Sequence, residues 1–579
     1  MTTTPGGLLL VLAVLVPFVG VLAGFALGGR NAQRVATLTI LAGAGVAIAI
    51  AAAMARSGDA LVYLLGGWAP PLGIALRADG LALVMMLAVA VVILGIGVYA
   101  RADFGTPAAV REARAPLVFW TLLLAIWGSL NLVFVSGDLF TLYVALELLT
   151  FAAVPLVSLD GKADTLRAAL RYLLYALLGS VFYLLGAVLL YGAYGTLDIQ
   201  LLSQRIVPEP ATLAAAALMT AGLLAKTALF PLHLWLPPAH AGAPAAASAV
   251  LSGLVIKGSW FLVVRLWFNV FPGVVNLQSA QLLAALGAGA ILVGNVVALR
   301  QERLKLLVAY STVAQIGYLF LMFPLAFGAA AGLDASDALT GGMLQAISHA
   351  TAKAAMFMAA GLIYLALGHD RIAGLAGVAR ALPVSVLTFA LAGAALMGLP
   401  PSGAYVAKKL FFDAAAGSGQ WWWELVLDVG GLLTASYVVL VLAHALCPAA
   451  DPIEPRKPVS RMAEGAALAL ALCSLLLGFV ADGAISLDAL SSALTLSDLW
   501  SAILLVVGGG ALAAALGHRL PPLAVGDAVV ALGRPLRRAM LAAGGMLAWT
   551  DGMLRQWPVA GLALIAVAIA FGAAILTGR

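Results

Sequence analysis

The chain has 579 residues, of which 64% are hydrophobic and 10% are charged, and its formal net charge is +6. Soluble domains carry about 25% charged residues, so this composition excludes a soluble globular protein. Apolar runs of about twenty residues, enough to cross a bilayer as a helix, recur along the whole length. The sequence therefore predicts an all-α polytopic membrane protein.

About sixteen transmembrane helices are predicted, and the connections between them differ in charge. The predicted spans lie near residues 8–29, 35–55, 80–100, 116–134, 138–158, 168–195, 211–232, 242–268, 280–299, 306–327, 341–366, 383–411, 424–446, 461–481, 498–516 and 557–577. The connections that follow odd-numbered spans hold 21 Lys and Arg residues, whereas the others hold only Arg56, Arg77 and Arg205. The positive-inside rule predicts that the odd-numbered connections are cytoplasmic and that both termini lie outside.

Few charged side chains lie within the predicted spans, and a histidine accompanies one of them. They include Glu147, Lys226, Lys257, Arg265, His349, Lys353, Lys408 and Lys409. A charge at the centre of a membrane helix costs about 2.5–3.5 kcal/mol on insertion scales, so it must face a partner or water. Arg265 and Lys409 lie near span ends, where we expect their long side chains to extend to the membrane surface. The deeper residues form either structural ion pairs or a proton relay, and their depth favours the relay.

Two of the predicted spans are interrupted by proline close to a lysine. Lys226 precedes its interruption, whereas Lys408 follows its own, and the two spans are five apart in the order of the chain. The breaking residues are Pro231, Pro237, Pro400 and Pro401. Backbone groups freed at membrane depth need protein or cavity water as partners. Paired interruptions of this kind predict two inverted five-helix repeats around a site within the membrane.

Several motifs together carry a resemblance to a known family. They are GDLFTLYVALELL (137–149), RYLLYALLGSVFYLLGAVLLYGAYGTLDI (171–199), LLAKTALFPLHLWLPPAHAGAP (223–244), LKLLVAYSTVAQIGYL (304–319), ISHATAKAAMFM (347–358) and GLPPSGAYVAKK (398–409). Over roughly residues 75–446 the chain resembles the antiporter-like subunits shared by respiratory complex I, membrane-bound hydrogenases and Mrp-type Na⁺/H⁺ antiporters. The GDLF and YGTLDI versions are more similar to the D subunit of Mrp antiporters.

The resemblance implies an antiporter-like core with broken helices 7 and 12. We expect three N-terminal helices in residues 1–115, the first inverted repeat in 116–268 and the second in 269–446. Residues 447–579 are then a C-terminal extension with additional helices. The family core has about fourteen helices, so the helices that follow span 14 and the basic loop at residues 533–557 have no counterpart in it.

The resemblance also implies roles for the charged residues as a proton pathway. Glu147 and Lys226 match the proton-handling pair of helices 5 and 7, and Lys257 matches the basic residue of helix 8. His349 and Lys353 match the histidine and lysine of helix 11. Lys408 matches the terminal residue of helix 12, with Lys409 as the neighbouring alternative, because the motif here reads PPSGAY.

The expected function is cation and proton translocation within a multisubunit complex of the Mrp type, in a bacterial cytoplasmic membrane. The resemblance implies other membrane subunits as partners, including homologous antiporter-like ones, beside protons, the lipid bilayer and, as an open alternative, Na⁺. Two other functions stay open: the proton-pumping subunit of an NADH-quinone oxidoreductase or hydrogenase-type complex, and an energy-coupling subunit for solute uptake. We expect no cofactor, metal or nucleic acid, and no redox or hydrolytic site in this chain, since no Walker loop or cluster ligand set is present.

The C-terminal extension contains a basic amphipathic segment. Apolar residues recur at helical spacing through residues 526–557, and Arg534, Arg537, Arg538 and Arg555 can occupy the other faces. Such a helix usually lies at a membrane surface. We expect a surface helix that braces a partner subunit or the bundle, outside the ion path.

Overall fold

The structure is a computed structural model, and it describes residues 2–106, 110, 113–327, 336–449, 453–479, 496–516 and 534–578. Two strands are described, β1 Leu61–Leu64 and β2 Ala75–Ala78. The first helices are α1 Leu8–Leu27, α2 Gly29–Ser57, α3 Gly80–Asp103, α4 Arg114–Val135, α5 Leu139–Val157, α6 Ala163–Tyr194, α7 Ile199–Arg205, α8 Pro210–Thr227, α9 Leu236–Gly242, α10 Ala245–Val270 and α11 Leu277–Leu299. The remaining ones are α12 Leu304–Phe327, α13 Asp337–Leu367, α14 Val378–Ala381, α15 Pro383–Met397, α16 Gly403–Ser418, α17 Trp421–Leu446, α18 Arg461–Leu476, α19 Leu496–Leu516, α20 Arg534–Leu554 and α21 Trp557–Thr577.

The predicted helical, polytopic class is confirmed. Among the described residues, 14 helices are long and apolar enough to cross a membrane, and they coincide with the predicted spans other than the twelfth and the fifteenth. The twelfth span is divided between α15 and α16, and the fifteenth corresponds to α19, whose apolar part is shorter. The two-stranded sheet is not predicted, because each strand has only four residues.

The chain forms two compact units. Unit 1 comprises Met1–Ala228, Gly242–Leu282 and Gly561–Arg579, and unit 2 comprises Leu229–Ala241 and Leu283–Ala560. The C-terminal extension therefore contributes to both units: α20 belongs to unit 2, and most of α21 belongs to unit 1. The two five-helix repeats at 116–268 and 269–446 stay a prediction.

In unit 1, helix caps explain two of the sequence motifs. Asp138 of GDLF accepts a hydrogen bond from the backbone N–H of Thr141 and starts α5, and Asp198 of YGTLDI accepts one from Leu201 and starts α7. Asp and Asn are favoured at this position because their oxygen satisfies an N–H that has no partner within the helix. Asp138 and Asp198 also face each other across a short antiparallel bridge. The two motifs thus start α5 and α7 and join the turns that precede these helices.

The first helix break lies at the end of α8. Span 7 is predicted to continue to residue 232, but the helix ends at Thr227, and Ala228 adopts a left-handed conformation with φ 58°. Pro231 has no N–H to donate and disfavours helix in the residue before it, so the helix ends earlier than hydrophobicity indicates. Pro237 lies in the first turn of α9, where a missing N–H leaves no bond unmade.

The second break lies in unit 2, between α15 and α16. Helix α15 ends at Met397, Gly398 is left-handed with φ 73°, and Pro400 and Pro401 form the turn that follows. The side chain of Ser402 then accepts a hydrogen bond from the N–H of Tyr405 and starts α16. Lys408 consequently lies in the second turn of a new helix.

The predicted amphipathic helix of the extension is present from Arg534 onward, as α20, while residues 526–533 lie outside the described part of the chain. The face of α20 that is buried in unit 2 includes Gly544 and Asp551, seven residues apart. Met546 and Trp549 are exposed, each with 66% of its surface accessible. The buried face is thus less apolar than the spacing of large residues predicts, because Asp551 finds polar partners there.

Candidate functional site

Glu147 and Lys226 form an ion pair inside unit 1. The Nζ atom of Lys226 lies 2.9 Å from Oε1 of Glu147, and the two side chains are 6% and 12% exposed, the lysine being the more buried. Lys226 also donates to the Thr150 hydroxyl at 3.1 Å and to the Ser180 hydroxyl at 2.5 Å, while Ser180 donates to Glu147. A lysine in an apolar bundle is thereby surrounded by one charge and two hydroxyl groups.

Close helix packing brings Ser180 to this pair. A Cβ atom at Gly222 of α8 would overlap the carbonyl oxygen of Gly179 in α6, and one at Gly179 would overlap that of Gly222. The two glycines therefore let the backbones approach, as small residues do in membrane helix pairs. Ser180 and Lys226 follow these glycines by one and four residues, so the contact sets the distance between them.

The second oxygen of Glu147 has a different environment. Its Oε2 atom is buried and has no hydrogen-bond partner among the described residues. A buried carboxylate oxygen without a donor is costly, so this atom is suited to accept a proton or a hydrogen bond from water. The pair thus combines a satisfied oxygen that faces Lys226 with an available one.

Lys257 occupies a second buried position of unit 1. It lies in α10 with 1% of its surface exposed, and its Nζ donates to the carbonyl oxygen of Ser252 at 3.2 Å. Ser252 is part of a π-helical turn, Leu251–Val255, in which carbonyl oxygens bond less regularly than in an α-helix. Thr227, next to Lys226, donates to the hydroxyl of Ser259 at 2.9 Å, so α8 and α10 are joined beside both lysines.

In unit 2, Lys353 lies on α13 and is fully buried, as is His349 one turn earlier. Its Nζ donates to the Ser311 hydroxyl at 2.5 Å and to the Val308 carbonyl oxygen at 3.3 Å. No carboxylate lies within ion-pair distance of Lys353 in the part of unit 2 that the structure describes. Its charge is thus met by neutral oxygens alone.

A row of polar side chains on α12 connects the region of Lys353 to that of Lys408. Ser311, Gln315 and Tyr318 follow one face of the helix, at spacings of four and three residues. Gln315 accepts a hydrogen bond from Gln345 at 3.1 Å and donates to the Leu396 carbonyl oxygen at 3.2 Å. Such a row offers donors and acceptors at one-turn intervals through an otherwise apolar interior.

The row ends at a small cavity that Lys408 also lines. The cavity has a volume of about 20 Å³ and is lined by Gln315, Tyr318, Gln345 and Lys408 with apolar neighbours. This volume is sufficient for one water molecule. Lys408 lies 3.3 Å from Oδ1 of Asp428, whose side chain is 66% exposed, whereas Lys409 is exposed. The geometry thus favours Lys408 over Lys409 as the inward-facing residue.

Arg265 differs from the expectation that it reaches toward the membrane surface. Its guanidinium makes two contacts of 2.5 Å with the carboxylate of Asp79, so a structural ion pair is present instead. Burial alone would raise the pKa of Asp79, but the hydrogen bond and charge of Arg265 hold it below its usual value. The pair borders a pocket of about 170 Å³ in unit 1, which Arg77 and Asp198 also line. The sequence pattern missed this pairing because Asp79 is 186 residues away.

Other polar residues of the site are absent from the predicted set. Ser180, Ser311 and Gln315 lie within the quoted motifs, but a hydroxyl or amide costs too little in a span to be singled out. Asp428 was detectable, because it is a carboxylate inside predicted span 13. His233 and Asp551, which lie 2.7 Å apart, are separated by 318 residues, and their pairing gives no signal in one sequence.

The chain is similar to known proteins in sequence and in structure. Residues 136–434 match the family described as NADH:quinone oxidoreductase/Mrp antiporter, TM. The N subunit of NADH-quinone oxidoreductase from Desulforudis audaxviator is 34% identical, over 72% of this chain and 81% of its own length. The D subunit of the Na⁺/H⁺ antiporter from Bacillus subtilis is 27% identical, over 69% and 78% respectively. A chain of the Mrp complex from Dietzia sp. DQ12-45-1b superimposes with a TM-score of 0.72 at 24% identity, covering 93% of this chain and 99% of that one.

Proposed function

This chain belongs to the NADH:quinone oxidoreductase/Mrp antiporter transmembrane family, and we propose on that basis that it translocates protons as one subunit of a multisubunit membrane complex. The observation that carries the proposal is the buried Glu147–Lys226 pair. Ionisable groups inside membrane helices are costly, and they mark ion pathways and proton relays.

The proposed role of unit 1 is to exchange a proton between Glu147, Lys226 and Lys257. Lys226 holds Glu147 through Oε1, and Oε2 is the oxygen at which a proton can arrive or leave. Separation of the pair would leave each charge without its partner in a low-dielectric interior, which favours proton transfer over two isolated charges. The hydroxyls of Thr150 and Ser180 offer Lys226 hydrogen bonds in either state.

The proposed role of unit 2 is to carry protons along α12 between Lys353 and Lys408. Ser311 bonds to Lys353, and Gln315 borders the cavity of Lys408, so the row of polar residues supports a path between the two lysines. A water molecule in the cavity would complete the connection, since amide side chains orient water but do not themselves carry protons readily. His349 is proposed to exchange protons with Lys353, because the two share a helix face.

We propose a cation:proton antiporter of the Mrp type as the complex, with this chain in the place of the D subunit. The capping aspartates of GDLF and YGTLDI support this assignment, as does the similarity to the antiporter chain of Bacillus subtilis. A redox-driven complex is the second candidate, and the 34% identity to the N subunit of an NADH-quinone oxidoreductase favours it. Identification of the subunits that co-purify with the chain distinguishes the two, because the driving partner lies on other chains.

The proposed orientation places both termini on the outer side of a bacterial cytoplasmic membrane. The distribution of 21 cations against 3 between alternate connections supports it. Gly58 follows an even-numbered span and Asp160 follows an odd-numbered one. Single cysteines introduced at these positions should therefore react with a membrane-impermeant reagent from opposite sides. Reaction from the same side would contradict the orientation.

The test of function is Glu147→Gln in membranes that contain the assembled complex. Proton movement in inverted vesicles should fall by about a hundredfold, as expected when a proton-transferring side chain is removed. Asp164→Asn is the matched control, because Asp164 is an acidic helix residue whose side chain is 95% exposed. Transport at the wild-type rate by a correctly assembled Glu147→Gln variant would contradict the proposal.

A further inference from the structure

A buried polar cluster in unit 2 has no part in the proton path proposed above. Asp551 of α20 is 2% exposed, and its Oδ1 lies 2.7 Å from Nε2 of His233, which is fully buried. The Tyr310 hydroxyl donates to Oδ2 of Asp551 at 2.8 Å, and Nε of Arg555 lies 3.2 Å from the same oxygen. Helix α20 thus inserts a carboxylate beside a histidine of the segment that follows the first helix break.

The contacts divide the roles within this cluster. Burial alone would raise the pKa of Asp551, but the hydrogen bond and charge of His233, the charge of Arg555 and the hydrogen bond from Tyr310 hold it below its usual value. Asp551 therefore stays ionised in the pH range in which ion transport is measured. The imidazole of His233 is then the member of the pair that can exchange a proton, because either of its ring nitrogens can carry one.

The second nitrogen of His233 points to the same conclusion. Nδ1 is buried and has no hydrogen-bond partner in the described part of the chain. When Nε2–H donates to Asp551, Nδ1 is left with a free lone pair, which is the position at which a proton can be accepted. A histidine that served only to fasten α20 would be expected to have both nitrogens satisfied, because an unpaired buried polar atom is costly.

The cluster is connected to the proposed proton path of unit 2 through α12. Tyr310, which bonds to Asp551, is adjacent in sequence to Ser311, which bonds to Lys353. The same short stretch of helix therefore contacts both the histidine–aspartate pair and the buried lysine. Around His233, the described titratable and charged groups are Asp551 and Arg555 of α20 and Tyr310 of α12, and the ring of Phe230 lies 5.5 Å away.

We propose that His233 is a further proton-carrying residue of unit 2 and that Asp551, supplied by the C-terminal extension, is its positioning residue. Asp551 fixes the tautomer and orientation of the imidazole, and His233 accepts and releases a proton at Nδ1. The inference rests on the proposed function, and it assigns to α20 a part in transport beyond the bracing role that its amphipathic pattern suggests.

The experiment compares His233→Gln and Asp551→Asn in native membranes, with transport rates normalised to the amount of assembled complex. We expect His233→Gln to reduce the rate about tenfold, because it removes the proton-carrying imidazole. Asp551→Asn should reduce the rate less and shift the pH profile, because it keeps the imidazole and removes the carboxylate that orients it. Thr550→Ala is the control, since its hydroxyl bonds to the Met546 carbonyl oxygen of its own helix. It should leave both rate and profile unchanged.

A purely structural cluster would behave differently. It would lower the amount of complex but leave the normalised rate and the pH profile of both variants as in the wild type, and that result would overturn the proposal. If Asp551→Asn does not assemble, Tyr310→Phe provides the same measurement, because it removes one donor to Asp551 and keeps the pair. An unchanged profile in Tyr310→Phe would then overturn the proposal.

Glu147→Gln, measured in parallel, separates this inference from the proposed function. An inactive Glu147→Gln beside a fully active His233→Gln would reject only the role of His233. An active Glu147→Gln would reject the proposed function itself, whatever the result at His233.

Discussion

The two units hold a buried lysine in different ways. In unit 1, Lys226 faces the carboxylate of Glu147 at 2.9 Å, and both groups are almost inaccessible to solvent. In unit 2, Lys353 is fully buried as well, but the structure gives it a hydroxyl and a carbonyl oxygen. A Coulomb attraction therefore stabilises the charge in unit 1, whereas dipoles stabilise it in unit 2.

Because of this difference, mutation of a buried charged residue should affect stability more in unit 1 than in unit 2. Removal of one partner from a buried ion pair leaves the other charge uncompensated, which is strongly destabilising. Removal of a lysine that faces only neutral groups leaves no charge behind. The proposed role in proton movement is thus linked to a large structural role for the charged pair in unit 1 and to a small one for Lys353 in unit 2.

The largest expected effect on stability is that of Glu147→Ala. The variant leaves Lys226 buried beside two hydroxyls and should lose about 3–5 kcal/mol of unfolding free energy, measured by chemical denaturation in detergent. The double variant Glu147→Ala, Lys226→Met should recover most of this loss, because it removes both charges. A double variant as unstable as the single one would show that packing, and not the unpaired charge, causes the effect.

The next effect concerns a feature that both units share. Gly222 in unit 1 approaches Gly179, and Gly317 in unit 2 approaches Gly287, in each case so closely that a Cβ atom would overlap a backbone carbonyl. Gly222→Ala and Gly317→Ala should each cost about 1–3 kcal/mol, the usual range for overpacking. Gly45→Ala is the control, since nothing lies within 4 Å of a Cβ atom there.

Gly222→Ala should in addition slow transport, because it displaces Lys226 relative to Ser180. The control Gly45→Ala should leave transport unchanged and should not lower stability, because alanine is the better helix former. Equal transport by Gly222→Ala and the wild type, with the stability loss as expected, would mean that the spacing of α6 and α8 does not set the geometry of the pair.

The sequence predicts the spans well and the site in part, and the reasons are physical. A run of apolar residues and a buried charge are local signals, so the positions of Glu147, Lys226, Lys257, Lys353 and Lys408 are readily singled out. Partners are not local: the contacts of Arg265 with Asp79 and of His233 with Asp551 bridge 186 and 318 residues.

Hydrophobicity also fails to predict where helices end and where their hydrogen bonding changes. Hydrophobicity extends span 7 to residue 232, but α8 ends at Thr227, because proline restricts the backbone without changing hydrophobicity. The π-helical turns of α10 also have no apolar signature, although one of them supplies the carbonyl oxygen that Lys257 contacts.

Lys353→Met should have a small effect on stability, within about 1 kcal/mol in either direction, because it replaces a buried ammonium group with an apolar side chain of similar length. Proton transport should nevertheless be lost. The measurement pairs chemical denaturation in detergent with transport in vesicles. A loss of stability as large as that of Glu147→Ala would indicate that Lys353 has a counterion in the assembled complex, and the contrast between the units would disappear.

The smallest expected effect is that of Asp428→Asn at the far end of the polar row. Asp428 lies 3.3 Å from Lys408, but its side chain is 66% exposed, so the ion pair should contribute only about 0–1 kcal/mol. Transport by an assembled Asp428→Asn complex should accordingly stay close to the wild-type rate. Phe412, whose ring lies 5.3 Å from Nζ of Lys408, keeps the ammonium group in place when the carboxylate is neutralised. A large loss of transport in an assembled Asp428→Asn complex would show that Asp428 carries protons itself, and the proposed proton path of unit 2 would then extend beyond Lys408.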